Sequence, residues 1–344
     1  MSNSEKKKIL LIIPKDIHFG VVESQMLGLA KLYSERFEVL IAVHSSIKLE
    51  SKNFKISPYN NTYQILKELK GIDHVYFRNV YNFLFLFIFC KIKFIKTIYD
   101  FRGLSSFENY NTNKSYFKFI VLYFLELVPY LFSNLIQCVS FNMEKELHKI
   151  YIIKRRMKVV PCLTSNCIRR SDPCDKKVKF VYVGGMSKWQ MIDQIIDVLI
   201  EVEKNVDCLS TFITKEKSFI QEKLKKKSLK SYVIKSGNNN EVKSFLSKQD
   251  FGLIFRENRI LNKVSSPIKF LEYTSSGVIP IMTPSVGNYS DDLKKYNLGL
   301  IYDNDNRKLI KDIIDVSKQA PKYRDRLFNY STKMTWFNYH LWKR

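Results

Sequence analysis

Residues 265–281 read SSPIKFLEYTSSGVIPI and carry the signals for a helix start, a helix end and a strand. Ser266 is a good N-cap, Pro267 fits the first helical position, and Gly277 can end the helix. The apolar run after Gly277 is typical of a buried strand. These signals predict one short helix that leads directly into a strand.

The first turn of this helix is a predicted anion site. The first amides of a helix have no partner within the helix and carry partial positive charge, so a phosphate can bind there. Lys269 and Glu272 are three residues apart and share one side of the helix. A cation beside a phosphate and a carboxylate one turn away suit a nucleoside diphosphate, whose ribose hydroxyls need an acceptor. An ordinary amphipathic helix with a surface ion pair is the alternative.

Short strand-like runs alternate with helical patterns along the chain, which predicts parallel sheets wrapped by helices. The first series of runs is Ile9–Pro14, Phe37–Val43, His74–Arg78, Ile95–Tyr99, Leu135–Val139 and Lys158–Pro161. The second series is Val178–Gly184, Leu209–Ile213, Ser231–Ile234, Phe251–Phe255, Ile279–Met282 and Leu300–Tyr302. The polar and basic segment 162–177 interrupts the alternation and is the predicted linker. The sequence therefore predicts an α/β protein with two doubly wound, Rossmann-like domains, residues 1–165 and 178–322.

The chain is strongly basic, with 57 Lys and Arg against 33 Asp and Glu and a formal net charge of +24. Such a charge predicts attraction to a polyanion, which could be nucleic acid, an anionic membrane surface or phosphorylated substrates. The six cysteines form no C-x-x-C pair and no zinc-finger spacing with the five histidines. We expect thiols in a reducing cytoplasm and no secretion signal.

Two apolar stretches are candidate membrane segments. Phe83–Cys90 is far shorter than the roughly 20 residues that a spanning helix needs. Phe117–Ile136 is long enough, but it contains Lys118, Glu126 and Pro129. Neither stretch is predicted to cross a membrane. The second is predicted to be a core helix or an amphipathic helix whose aromatic face meets a bilayer surface.

In doubly wound domains ligands bind beyond the carboxyl ends of strands, so the loops after each run are the places to search. After the first run, Asp16 and Gly20 lie in a loop that enters a helix. After Ile95–Tyr99 come Asp100, Arg102 and Gly103. These residues bring together carboxylates, a guanidinium and glycines that allow close backbone approach, although Asp100 and Arg102 could equally form a structural pair.

The second domain offers glycines and cations at the corresponding places. Gly184 and Gly185 follow its first strand and precede Lys188, while Arg256 and Lys263 follow the run that ends at Phe255. The chain lacks both the G-x-x-x-x-G-K-[ST] phosphate loop and the G-x-G-x-x-G dinucleotide fingerprint, which argues against nucleotide hydrolysis and hydride transfer. The cations could neutralise a leaving diphosphate, or they could be solvent-exposed residues of a long loop without a functional role.

The motifs GGMSKWQ (184–190), FREN (255–258), NKVSSPIKFLEY (262–273) and IYDFRG (98–103) resemble those of retaining nucleotide-sugar glycosyltransferases with the GT-B fold. The resemblance is closest to the bacterial polysaccharide members of family 4. It is strongest from Phe180 to Tyr302 and weakest between Ser45 and Phe94. It implies an N-terminal acceptor domain, a C-terminal nucleotide domain, and a last helix, residues 323–344, that packs on the first domain.

The resemblance also assigns roles to residues. Glu272 would hold the ribose hydroxyls, while Lys269 and the amides around Ser265, Ser266 and Pro267 would face the phosphates. Many relatives have a second glutamate at the position of Val264, which touches the donor sugar, so the sugar itself is not predicted.

Many relatives also have an arginine at the position of Gly185. Lys188, Arg256 or Lys263 could supply the missing charge, and Arg256 is the preferred substitute. Arg256 and Lys263 are thus the predicted leaving-group stabilisers, and Asp100 or Asp16 the candidate base.

The predicted reaction is transfer of a sugar from UDP or GDP to a glycan acceptor with retention, in capsule, O-antigen or other surface polysaccharide synthesis. No metal and no cofactor are predicted, because positioned cations and a helix N-terminus can stabilise the leaving diphosphate. We expect a cytoplasmic protein, peripheral at the anionic inner face of the plasma membrane, with a polyprenyl-diphosphate-linked acceptor and no nucleic-acid partner. Two alternatives stay open: a nucleotide-sugar 2-epimerase of the same fold, and a basic nucleic-acid-binding protein without enzymatic activity.

Overall fold

The structure is a computed structural model that describes residues 6–15, 17, 19–78, 84–174 and 176–340. The chain divides into two compact units: one contains the described residues up to Pro161 together with His340, and the other runs from Cys162 to Tyr339. Each unit is built around one parallel sheet, as the alternation of strand and helix patterns predicts. Among the described residues, no helix has the length and apolar character needed to span a bilayer.

Unit 1 contains a seven-stranded parallel sheet with the order β3-β2-β1-β4-β5-β6-β7. Its strands are β1 Lys8–Ile13, β2 Glu38–His44, β3 Lys55–Tyr59, β4 His74–Phe77, β5 Lys96–Phe101, β6 Leu135–Cys138 and β7 Met157–Val159. Its helices are α1 Phe19–Val21, a π-helical turn Val22–Met26, α2 Leu27–Ser34, α3 Thr62–Glu68, α4 Leu84–Ile92, α5 Ser105–Asn113, α6 Tyr116–Phe132 and α7 Phe141–Tyr151. The central strand β1 is almost entirely buried, because its apolar side chains face helices on both sides of the sheet.

Unit 2 contains a six-stranded parallel sheet with the order β10-β9-β8-β11-β12-β13. Its strands are β8 Val178–Val183, β9 Cys208–Ile213, β10 Tyr232–Lys235, β11 Phe251–Ile254, β12 Ile279–Met282 and β13 Leu300–Ile301. Its helices are a 3₁₀ turn Lys188–Gln190, α8 Ile192–Glu203, α9 Lys217–Lys227, α10 Asn239–Leu246, α11 Ile260–Val264, α12 Ile268–Ser275, α13 Tyr289–Tyr296, α14 Asn306–Lys318 and α15 Ala320–Lys333. Both sheets reverse their strand order once, between β1 and β4 in unit 1 and between β8 and β11 in unit 2.

All twelve predicted strands are present within one or two residues of their predicted bounds. The strand that sequence reasoning missed is β3, which lies at the edge of the first sheet and pairs only with β2. Its sequence KISPY contains Ser57 and Pro58 and is not a continuous apolar run. Proline is compatible with an edge strand, because one side of the strand has no ladder partner.

The segment predicted as a linker lies on unit 2. Its backbone bonds to residues of that unit: the amide of Thr164 donates to Met334 O at 3.0 Å, and that of Ile168 donates to Ser275 O at 2.7 Å. Residues 162–165, which were assigned to the first domain, therefore belong to the second unit. Because its backbone forms these hydrogen bonds, the segment is an ordered part of unit 2.

The last helix is shorter than the predicted 323–344 and belongs to unit 2. Helix α15 ends at Lys333 and packs against α12, with Leu327 buried and the rings of Phe270 and Tyr330 in edge contact. Arg324 is fully buried and donates to Asp250 Oδ1 at 2.6 Å, so an ion pair holds the helix in place. The packing of the residues beyond it on the first domain stays a prediction, and residues 341–344 lie outside the described part.

Candidate functional site

The predicted nucleotide residues lie at the reversal of strand order in unit 2. Gly184 follows β8 and Arg256 follows β11, and these two strands are neighbours in the parallel sheet. Helices leave such a pair of strands in opposite directions, which opens a crevice at their carboxyl ends. The topology therefore brings together residues that are about 70 positions apart in the sequence.

Helix α12 is fixed against this edge of the sheet by Tyr273. The Tyr273 hydroxyl accepts a hydrogen bond from the amide of Val183 at 3.0 Å, at the end of β8. Its ring fills the space next to Gly252 on β11, where an added Cβ would lie only 2.4 Å from the ring. Gly277, at φ +71°, ends the helix as predicted, and the amide of Val278 donates back to Tyr273 O.

The start of α12 differs from the sequence prediction. Helical geometry begins at Ile268, and Pro267, with ψ at 121°, is the cap residue. Ser266 does not cap the helix, because its hydroxyl accepts from the amide of Cys162 at 3.1 Å and lies 2.9 Å from the hydroxyl of Tyr289. The first amides of the helix thus have no side-chain cap and keep their capacity to bind an anion.

The central feature of the site is a pair of cations that share one neutral acceptor. Lys269 Nζ donates to Gln190 Oε1 at 2.5 Å, and Arg256 Nη1 donates to the same oxygen at 2.9 Å. The Tyr182 hydroxyl also lies within 2.8 Å of it. Neither cation forms an ion pair with a carboxylate of the described chain. Two partly desolvated positive charges without a paired anion form a binding site for a dianion such as a diphosphate.

Burial lowers the pKa of both cations. Burial, reinforced by the nearby charge of Arg256, holds the pKa of Lys269 well below its ordinary value, and Glu272 opposes part of this shift. Burial also lowers the pKa of Arg256. A bound anion would offset this cost by stabilising the protonated form of Lys269.

The absence of a side chain at Gly184 leaves room for the ammonium group of Lys269. Gly184 has φ +137°, and a Cβ there would lie 2.1 Å from Lys269 Nζ. Only glycine accommodates both the backbone conformation and the ammonium. The next residues turn outward, and the amide of Met186 donates to Glu216 at 2.7 Å. At Gly185 no described atom lies within 4 Å of an added Cβ, so a ligand can approach the backbone there.

Glu272 is half-buried one turn after Lys269, on the same side of α12. Burial raises the pKa of its carboxyl, and the charges of Lys269 and Lys243 partly offset that shift. The carboxylate has no hydrogen-bond donor among the described residues. It is therefore available to accept hydrogen bonds from a ligand's hydroxyl groups.

Other predicted residues lie outside the cation pair. Lys188 and Lys263 are exposed, and no hydrogen bond or ion pair joins either of them to Gln190 within the described chain. Ser265 donates to Asn262 O at 2.8 Å and so closes the turn before α12. Val264 is buried.

Sequence reasoning missed Gln190. It stands in the quoted GGMSKWQ motif, but a glutamine has no charge that would distinguish it in a sequence. Its role depends on the fold: the 3₁₀ turn places Gln190 between β8 and α12, where its side chain is buried. The nearest sequence signal is Lys188, two residues earlier, whose side chain is instead exposed.

Unit 1 has a cavity of about 210 Å³ at its own reversal of strand order. Pro14 follows β1, Arg78 follows β4, and Arg102 follows β5, so the cavity lies at the carboxyl ends of three adjacent strands. Asp100 and Glu108 supply carboxylates to its wall. The structure thus brings Asp100, Arg102 and the neighbouring Gly103 together, as the IYDFRG motif predicts.

Asp100 is fully buried, and only one of its two carboxylate oxygens has hydrogen-bond donors among the described residues. Its Oδ2 accepts from Arg102 Nε at 2.6 Å and from the hydroxyl of Tyr76. Its Oδ1 has no hydrogen-bond partner among the described residues. A buried carboxylate oxygen without a donor is costly. The pair is therefore satisfied at Oδ2, whereas Oδ1 is buried without a donor among the described residues.

Glu108 lies against Gly103, where its Oε1 would be 2.3 Å from an added Cβ. Desolvation, with the nearby charge of Glu126, raises the pKa of Glu108. Gly20, predicted in a loop, lies in α1, and its carbonyl accepts from the hydroxyl of Ser24 at 2.6 Å. Asp16 lies outside the described residues.

No three His, Cys, Asp or Glu side chains in the described part of the chain are grouped as ligands for a metal ion. The absence of a metal from the reaction stays a prediction. None of the six cysteines forms a disulfide, and three of them are buried.

Solved structures show which fold this is. Over 97% of its length, the chain resembles HepE from Anabaena in complex with UDP-glucose, with 98% of that chain covered, a TM-score of 0.73 and 13% identity. It also resembles WaaG, a glycosyltransferase involved in lipopolysaccharide biosynthesis (95% of each chain, TM-score 0.65, 13% identity). A third similar structure is a glycosyltransferase from Rickettsia africae (98% and 96%, TM-score 0.67, 14% identity).

The chain has the GT-B fold of these enzymes. At this level of identity the likeness establishes the fold, and the functional argument depends on the residues of the site. No family model and no curated protein matches the sequence.

Proposed function

We propose that the protein is a glycosyltransferase that moves a sugar from a nucleoside diphosphate to an acceptor hydroxyl with retention at the anomeric carbon. The observation that carries the proposal is the shared acceptor, Gln190 Oε1, between Lys269 and Arg256. Both cations lie beside the start of α12, at the strand reversal of a GT-B domain. HepE, which has the same fold, has been solved with UDP-glucose bound.

The diphosphate of the donor takes the place of Gln190 as the main partner of the two cations. Charge-assisted hydrogen bonds to phosphate are stronger than those to a neutral amide, so the exchange favours binding. Arg256 and the amides at the start of α12 then stabilise the negative charge that develops as the glycosidic bond to the diphosphate breaks. Preorganised donors of this kind each contribute about 3 kcal/mol to catalysis in well-studied sites.

In this proposal the Glu272 carboxylate accepts hydrogen bonds from the ribose hydroxyls. Its carboxylate is one helical turn from Lys269 and has no competing donor in the described chain, so phosphate and ribose are bound by one face of one helix. Val264 leaves the sugar without the carboxylate contact that related motifs contain. Donor specificity for the sugar must then come from other groups.

In this proposal the acceptor binds in the cavity of unit 1, whose lining includes Asp100 and Glu108. A glycan acceptor on a polyprenyl diphosphate suits the basic character of the chain and a place at an anionic membrane surface. WaaG, which has the same fold, acts in lipopolysaccharide biosynthesis. These points support a role in surface polysaccharide synthesis.

A screen of UDP, GDP and their sugars by thermal stabilisation, followed by measurement of donor hydrolysis, tests the proposal. We expect one nucleotide class to stabilise the wild type, and Lys269→Gln to remove that stabilisation. Lys188→Gln is the matched control, because it removes an equal charge from the same region outside the cation pair. Equal nucleotide binding by both variants, or none by the wild type, would refute the proposal.

Retention is tested separately by the anomeric configuration of the product, read by proton NMR at early times. A product with the anomeric configuration of the donor supports retention, and the opposite configuration refutes it. Salt-dependent binding to arbitrary DNA with no nucleotide effect would favour the nucleic-acid alternative.

A further inference from the structure

Unit 1 exposes many large apolar side chains on two of its helices. Helix α4 presents Phe85, Ile88 and Ile92 to solvent, at the i, i+3, i+7 spacing of one helix face. Helix α6 also exposes large apolar side chains: Tyr116, Phe117, Ile120, Val121, Phe124 and Phe132. Soluble proteins rarely expose contiguous apolar areas of this kind unless another surface covers them.

The sheet topology places α4 and α6 on the same side of unit 1. The steps from β4 to β5 and from β5 to β6 run in the same direction across the sheet. Right-handed crossovers then put both connecting helices on one face. The end of α4 also bonds to the start of β6, where Lys91 Nζ donates to Asn134 Oδ1 at 2.9 Å.

Two turns of unit 1, one after α4 and one after α7, each hold an exposed apolar residue in an unfavourable backbone conformation. Phe94, 93% exposed, has φ +56°, and Ile152, 86% exposed, has φ +63°. Phe94 follows α4 and Ile152 follows α7, at helix ends where glycine or asparagine is the usual residue. A positive φ is costly for a phenylalanine and more so for a β-branched isoleucine. Neither side chain gains burial within the fold that would offset this cost.

The surroundings of the face are basic. Residues 84–156 contain eleven Lys and Arg and five Asp and Glu, and two of the acids, Asp100 and Glu126, are buried. Lys93 and Lys154 are exposed and each adjoins one of the two turns. Two copies of such a surface would bring like charges together, whereas an anionic lipid surface complements both the apolar residues and the cations.

We propose that α4, α6 and the turns at Phe94 and Ile152 form a surface that inserts into the headgroup region of an anionic bilayer. The proposal rests on the proposed function in one respect, because it presents the enzyme to a lipid-linked acceptor. The apolar residues enter the boundary of the acyl chains, and the lysines remain among the phosphates. The backbone conformations at Phe94 and Ile152 are retained because the exposed side chains serve binding rather than folding.

Vesicle co-sedimentation of the full chain with Phe94→Asn/Ile152→Asn tests the proposal. Asparagine is favoured at positive φ, so the variant should melt at the same temperature as the wild type or higher. Partition onto vesicles of phosphatidylcholine with phosphatidylglycerol should fall at least about tenfold. Phe219→Asn, which removes an exposed ring of unit 2, is the control and should partition like the wild type.

A wild type that binds no anionic vesicles, or a double variant that partitions normally, overturns the proposal. So does a wild type that dimerises without lipid and becomes monomeric in the double variant, because the occupant is then a second copy. Nucleotide binding is measured on the same samples. Vesicle binding without nucleotide binding would refute the proposed function but support the membrane surface. Nucleotide binding without vesicle binding would support the proposed function but refute the membrane surface.

Discussion

Replacement of Lys269 by methionine should make the protein more stable and its nucleotide binding weaker. Lys269 Nζ and Arg256 Nη1 donate to one oxygen at 2.5 Å and 2.9 Å, so the two charges are at most about 5.4 Å apart. At an effective dielectric constant of about 20, unit charges about 5 Å apart repel by about 3 kcal/mol. Glu272 offsets part of this repulsion, and we expect Lys269→Met to raise the free energy of unfolding by about 1–2 kcal/mol.

The variant leaves no acceptor without a donor, because Gln190 keeps Arg256 and Tyr182. Methionine also retains contact with the Tyr182 ring, over which the ammonium lies at 4.5 Å. A lost charge-assisted hydrogen bond to phosphate costs about 1.5–3 kcal/mol, which corresponds to a dissociation constant for UDP or GDP raised about 10- to 150-fold.

Urea unfolding and calorimetric titration measure the two effects on one sample. A structural lysine would give the opposite pattern, in which stability falls and affinity is unchanged. Nucleotide affinity within about twofold of the wild type would refute the assignment of Lys269 to the phosphates. A loss of stability would show that the repulsion between the cations is already neutralised in the free protein.

The lowered pKa of Lys269 and the surroundings of Glu272, Gly287 and Glu126 give further predictions. Since the pKa of Lys269 is lowered in the free protein and rises on anion binding, nucleotide affinity should fall as pH rises through its free pKa, by at most about tenfold per pH unit, and titrations should detect proton uptake. The unfolded chain binds more protons than the folded one between that pKa and 10.5, so stability in urea should rise with pH in this window, and Lys269→Met should abolish both trends. Glu272→Gln should lose about tenfold or more of the preference for UDP over 2′-deoxy-UDP, or of the corresponding GDP pair, in competition binding. Gly287→Ala should destabilise the protein by about 1–3 kcal/mol in thermal unfolding and weaken nucleotide binding, because its Cβ would lie 2.0 Å from Ser265 O at a φ of +55°. Glu126→Met should cost about 2–3 kcal/mol in urea unfolding, since Glu126 accepts from the amides of Ser105 and Ser106, while nucleotide affinity stays at the wild-type value.

The strand-and-helix alternation predicts both sheets because buried parallel strands are continuous apolar runs between turn signals. The strand Lys55–Tyr59 escapes this rule because an edge strand does not need an apolar sequence. The end of α12 at Gly277 is local in origin and was predicted. Its start was displaced by one residue, because the hydroxyl of Ser266 bonds to Cys162 and Tyr289, which are distant in sequence.

Sequence reasoning named Lys269, Glu272 and Arg256, which carry charge and stand near motif signals. It preferred Arg256 to Lys188 and Lys263 as the substitute cation, but only the structure shows which of these side chains turns toward Gln190 and which are exposed. Gln190 itself carries no charge, and its importance comes from the convergence of three elements on one oxygen. Asp100 was named, but only the structure shows that its Oδ2 accepts from Arg102 while its Oδ1 is buried without a donor among the described residues.

Titration of the wild type with UDP and GDP in the presence of EDTA tests the central claim most directly. The two cations around Gln190 should bind one nucleotide per chain without added metal. Lys269→Met/Arg256→Met should reduce that affinity by more than 100-fold, and Lys188→Gln/Lys263→Gln should leave it within about threefold. Binding that survives in the first double variant, or that is lost equally in the second, would contradict the account.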